Sequence, residues 1–117
     1  MNVEVQAFVT GPMQTNTYVV REGTDAWVVD PGARPDEVAD ALREQQLKAE
    51  AIVLTHGHGD HIAGVADLQK AFAELKLLCP AKDAFMLLDA AANLSAPFGF
   101  DVTAPPADQL ILPGETL

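Results

Sequence analysis

All three histidines of this 117-residue chain fall within six positions, at His56, His58 and His61, with Asp60 among them. Imidazole nitrogen and carboxylate oxygen are ligands for zinc and other first-row metals. His56 and His58 stand two apart across an extended turn, so both rings can point the same way. Asp60 and His61 open a helix, where the backbone turns and directs both side chains toward one cavity. Gly57 and Gly59 remove Cβ atoms that would crowd such a loop. Four donors in six residues can serve two adjacent metal ions. A lone histidine is more often a surface or core residue, but three with a carboxylate, directly after an apolar strand, point to metal binding.

The elements that must position this loop are readable from pattern. Residues 2–9 alternate like a strand, and Gly11-Pro12 breaks the run. Residues 16–21 are β-branched and aromatic, and 26–30 (AWVVD) form a third strand ended by Pro31-Gly32. Pro35 suits a helix start, with Asp36 and Glu37 favouring the dipole, and that helix runs to about Leu47. Ala51 to Thr55 is a short apolar strand, covered on both faces. Apolar residues at helical spacing (Ile62, Val65, Leu68, Phe72, Leu75) predict one helix from Asp60 or His61 to Leu75. Residues 76–79 form a strand and 83–93 a third helix. Residues 95–108, with Pro97, Gly99, Pro105 and Pro106, make a long surface loop. Residues 109–112 form a strand, and Pro113-Gly114 a turn into another. Strands first and then β-α-β-α alternation predict an α/β (α+β) fold, a mixed sheet with helices packed outside, in one partial domain over 1–117.

Seven basic and seventeen acidic residues give a net charge of −10. That balance argues against nucleic-acid binding and against docking on anionic lipid. Cys79 is the only cysteine, which excludes an intrachain disulfide and cysteine-rich zinc sites; it reads as a small core residue. No apolar run has transmembrane length and the N-terminus lacks a signal-peptide pattern, so the expected location is cytoplasmic. Trp27 reads as packing. Met13 and Gln14 read as an ordinary turn that could approach the histidine loop. Phe98 and Phe100 either cover a cleft or pin the long loop. Asp67 and Asp89 read as solvated.

The run Thr55-His56-Gly57-His58-Gly59-Asp60-His61 resembles the T-H-x-H-x-D-H signature of the metallo-β-lactamase-fold hydrolases, at every fixed position. Asn16-Thr17-Tyr18, Val28-Val29-Asp30-Pro31-Gly32 and Ile62-Ala63-Gly64 are similar to the glyoxalase II-like (hydroxyacylglutathione hydrolase-like) branch. The resemblance covers the whole chain, which corresponds to the N-terminal half of the family's αββα sandwich. It implies that His56 and His58 bind one metal and Asp60 and His61 a second, with Asp30 bracing the ligand loop as an outer hydrogen-bond partner. Thr55 is open to two readings, a β-branched strand end or a polar part of the site.

The family's second half supplies further ligands, and no histidine follows His61. Asp67, Asp83, Asp89, Asp101 and Asp108 follow, but none lies in a segment resembling the family's bridging aspartate motif. Two protein ligands per ion fall short of the three in catalytic zinc sites, so affinity should fall. Truncation, a second chain and a second copy completing the fold are the alternatives; the end at Gly114-Glu115-Thr116-Leu117, in mid-pattern, favours truncation. Once completed, the site would hold two zinc ions, with iron or manganese also compatible. It would hydrolyse a small-molecule thioester such as an acylglutathione by metal-activated water, which Asp60 would orient. An iron-dependent persulfide oxidation and a non-catalytic metal-binding or assembly module are the rival readings.

Overall fold

The computed structural model describes residues 3–117. Six strands form one mixed sheet in chain order: β1 Val3–Thr10, β2 Thr15–Glu22, β3 Asp25–Val29, β4 Lys48–Val53, β5 Lys76–Pro80 and β6 Gln109–Ile111. The first three are antiparallel neighbours and the last four parallel ones. The sequence-based first strand begins at Asn2, outside the described residues. Helix α1 (Asp36–Glu44) connects β3 to β4, and α2 (Gly59–Ile62) and α3 (Val65–Ala71) connect β4 to β5. Among the described residues no helix is long and apolar enough to cross a membrane.

Strand alternation sorts the sheet into two unlike faces. Val19, Val28, Ile52 and Leu77 lie in line across one face and are almost completely buried. They pack with Val38 and Leu42 of α1 and Val65 and Leu68 of α3 into a single core. Arg43 of α1 stacks its guanidinium over the Phe72 ring at 5.2 Å, joining the two helices at their solvent edge. The opposite face carries Val5, Val20 and Trp27 in register, then Tyr18 and Val29. Those side chains stay partly or largely exposed.

Several expected boundaries are corrected, each by a tertiary contact. The single helix from Asp60 to Leu75 is two short ones. Gly64 sends its N–H to Pro31 O at 2.9 Å, and the Asp60 carbonyl accepts the Thr15 hydroxyl instead. Phe72 then turns extended and ends α3. The helix expected over 83–93 is a 3-10 helix over Ala81–Leu88, followed by a turn in which Asp89 Oδ1 accepts from the N–H groups of Ala91 and Ala92. β4 starts earlier than expected, since Lys48 and Glu50 alternate outward while Ala49 and Ala51 face in. Among the described residues no strand follows Pro113. The long loop over 95–108 is as expected, docked by Ala104 N–H on Leu87 O and by Asp108 on Leu77.

The α2–α3 junction depends on two glycines meeting. A Cβ on Gly64 would collide with the Gly32 carbonyl oxygen, and one on Gly32 with the Thr10 hydroxyl. A backbone oxygen cannot rotate away as a side chain can. Gly64→Ala should therefore destabilise the chain by about 2–3 kcal/mol in urea unfolding, while Gly23→Ala, at an open turn, should cost less. Cys79 is fully buried in β5, and burial, with the Asp83 charge adding to it, pushes its thiol up to about 11. Its reaction with a thiol reagent at pH 8 should be negligible in the folded chain and rapid in denaturant.

Candidate metal centre

The site grows from the carboxyl ends of two parallel neighbours, β3 and β4. Asp30 follows β3 directly and donates its N–H to Val53 O at 3.2 Å. Its backbone is left-handed, with φ +52°, a conformation that aspartate tolerates better than most residues. The Thr17 hydroxyl holds the Asp30 carbonyl at 2.9 Å and accepts the Gly32 N–H. The turn thus aims the Asp30 carboxylate back across the end of β4. There Oδ1 accepts the Thr55 N–H at 2.8 Å and Oδ2 accepts the Thr55 hydroxyl. Asp30 is only 4% exposed, and a carboxylate so buried needs such donors.

Thr55 has one hydroxyl proton, and an ionised carboxylate only accepts. With that proton on Asp30, the Thr55 oxygen is left to accept from His56 Nδ1, 2.8 Å away. The lone pair of His56 is therefore on Nε2, the nitrogen turned away from Thr55. Burial, and after it the neighbouring His61 ring, hold His56 below its ordinary pKa. The ring is accordingly neutral near pH 7, the form in which imidazole is a ligand.

The other rings gather around His56. Its centroid lies 4.1 Å from that of His61 and 4.6 Å from that of His58, the latter edge-on. Donor atoms of Asp30, His56 and His61 all lie within 4.8 Å of one another. Asp60 Oδ2 stands 3.4 Å from His61 Nε2, and the Asp60 carbonyl is held by the Thr15 hydroxyl. His61 Nδ1 is buried 3.1 Å from Asp30 Oδ2 but misaligned, and no group among the described residues hydrogen-bonds it. Two imidazoles and a carboxylate with donor atoms within 4.8 Å, a third imidazole ring beside them, and an unpaired buried nitrogen fit a divalent first-row metal.

Behind the rings, Gly57 and Gly59 face the segment 81–95. A Cβ on Gly57 would stand 2.9 Å from Met86 Cβ, and one on Gly59 2.8 Å from Ser95 Cβ. A cleft of about 230 Å³ opens beside His58 and Asp60, walled by Pro12, Met13, Leu94, Phe98, Phe100 and Val102. Phe98 and Phe100 thus line a cleft, and so does Met13 at the tip of the β1–β2 hairpin. Among the described residues no lysine or arginine lines it. Trp27 and Cys79 lie outside it. Two residues of the site, Asp83 and Asn93, were not evident from the sequence. Thr55 was visible in the motif without its part. Asp83 and Asn93, which hold the glycine side of the loop, left no local signal because their partners are backbone groups far along the chain.

The Thr55 hydroxyl predicts a tautomer. Imidazole nitrogen NMR should show His56 protonated at Nδ1 in the wild type and in Thr55→Ser. Thr55→Val, lacking the oxygen, should move it to a mixture of tautomers.

Residues 10–117 match the Metallo-beta-lactamase superfamily. A probable metallo-hydrolase, YqgX, of Bacillus subtilis (strain 168) is 32% identical over 102 residues, covering 86% of this chain and 48% of that protein. A hydroxyacylglutathione hydrolase of Xanthomonas euvesicatoria pv. vesicatoria (strain 85-10) is 47% identical over 58 residues, 50% of this chain and 22% of that protein. The crystal structure of the BLEG-1 B3 metallo-beta-lactamase superposes with a TM-score of 0.91 at 32% identity, over 97% of this chain and 56% of that one. The chain thus spans about half the length of that structure and of YqgX, and less of the hydroxyacylglutathione hydrolase. With the signature loop, the sheet and the match over 10–117 in agreement, the chain belongs to the metallo-beta-lactamase superfamily.

Proposed function

We propose that the chain is the metal-binding half of a metal-dependent thioester hydrolase, with an acylglutathione-type substrate, active once the fold is completed. The observation that carries this is the gathering of the His58 and His61 rings around His56, with donor atoms of Asp30, His56 and His61 within 4.8 Å of one another and the Asp60 carboxylate 3.4 Å from His61. In this reading His56 and His58 hold one ion, and Asp60 and His61 a second. Asp30 braces the loop, since both its oxygens are already engaged by Thr55. When bound, the ions supply Lewis-acid chemistry, making water nucleophilic at neutral pH and polarising the carbonyl. Zinc is the proposed metal, and these ligands also accept iron or manganese.

The chain's own residues do the rest. Thr55 keeps the His56 lone pair on Nε2. The Asp60 carboxylate, partly exposed on a backbone that Thr15 holds, orients the attacking water. The apolar cleft beside His58 and Asp60 excludes bulk water from the acyl side of the substrate. All three histidines are already in the loop, so any further imidazole comes from outside these 117 residues. A longer parent chain or a second chain supplying those donors, seated against the open apolar face of the sheet, is part of the proposal.

Zinc titration of the chain should give saturable binding, and the His56→Ala/His61→Ala double variant should lose it. Hydrolysis of an acylglutathione thioester should require a chain carrying the missing donors and should vanish on chelation. Undiminished zinc binding by the double variant would overturn the ligand assignment. Turnover that survives chelation would overturn the metal-dependent reading.

A further inference from the structure

Histidines and glycines alternate through the ligand loop, and the glycine side has its own machinery. The N–H of Gly57 donates to Asp83 Oδ2 at 2.9 Å, and the N–H of Gly59 donates to Asn93 O at 2.7 Å. Each N–H lies in a peptide plane whose rotation is the ψ angle of the preceding residue. Gripping the Gly57 N–H therefore fixes ψ of His56, and gripping the Gly59 N–H fixes ψ of His58. One clamp serves each of the first two histidines.

Both clamps are themselves held. Asn93 is fully buried. Its amide donates to Met86 O at 3.0 Å and Val102 O at 2.8 Å, and its Oδ1 accepts the Ser95 N–H at 3.0 Å. Met86 in turn is the side chain against which Gly57 rests. Asp83 sits at the start of the 3-10 helix, in the turn below the loop. Neither residue belongs to the converging donor group of Asp30, His56 and His61.

We infer that Asp83 and Asn93 are positioning residues that set the metal affinity of the loop by fixing the backbone of His56 and His58. The inference rests on the metal-binding reading above. It assigns a role to the segment 81–95, for which the histidine motif alone gives none.

The test is a cobalt(II) titration of the 117-residue chain, followed by the d–d absorption bands, with circular dichroism confirming the fold of each variant. Asp83→Ala should weaken cobalt binding about tenfold, the usual effect of losing an outer partner of a metal site. Asp83→Asn keeps an acceptor oxygen and should restore wild-type binding. Asp83→Glu keeps the charge but moves the acceptor and should bind weakly, which decides the matter if Asp83→Ala does not fold. Asn93→Ala, releasing the Met86 and Val102 carbonyls, should also weaken binding and alter the band shape. Wild-type affinity in both Asp83→Ala and Asp83→Glu, or Asp83→Asn as weak as Asp83→Ala, would overturn the inference while leaving metal binding intact. No cobalt binding by the wild type would overturn the metal-binding reading and this inference with it.

Discussion

The site depends on one buried carboxylate bridging two strand ends. Asp30 leaves β3 in a left-handed turn and takes both the N–H and the hydroxyl of Thr55 beyond β4. A charge this deep is tolerable only with donors in place. Its need for partners locks the end of β4, directs the Thr55 hydroxyl, and through that oxygen sets the proton on His56. The same carboxylate stands beside His61. Three parts of the loop are thereby referred to one atom group, which is itself fixed by Thr17 and the β2–β3 pairing.

A second constraint comes from the loop's other side. Gly57 and Gly59 have no left-handed backbone to explain them. They are small because a second layer of chain presses on them at contact distance. The loop is thus a thin partition: rings project on one side, and hydrogen-bonded backbone lies on the other. Rigid ligands of this kind lose less entropy on meeting an ion than ligands on a free loop would. Gly32 and Gly64 do the equivalent work one layer away, letting the α2–α3 junction close onto the Asp30 turn.

Much of this was legible in the residues. The six strands were placed to within three residues at each described end, and the helix-facing core followed from Val38, Leu42, Val65 and Leu68. The histidine loop stood out because its spacing has few other uses. What pattern could not give were breaks caused by distant partners. Ile62, Val65 and Leu68 do share a helical stripe, yet Gly64 spends its N–H on Pro31, and Phe72 and Leu75 lie beyond the break. Likewise 83–93 has helical composition, but the Met86 carbonyl accepts from the Asn93 side chain and the Leu87 carbonyl from the Ala104 N–H. Local propensity is weak against such contacts.

The order of the strands adds a dimension of time. Each strand lies beside its predecessor in the chain, so the sheet can be assembled in the order of synthesis. By the time α3 is complete, every donor side chain of the histidine loop has emerged, and so have Asp30, Thr15 and Thr17. Asp83 and Asn93 have not. A nascent chain at that stage therefore has its histidines tethered on one side only, and its loop becomes a defined binding surface only after roughly twenty more residues, at synthesis rates of about 5–20 per second, arrive behind it.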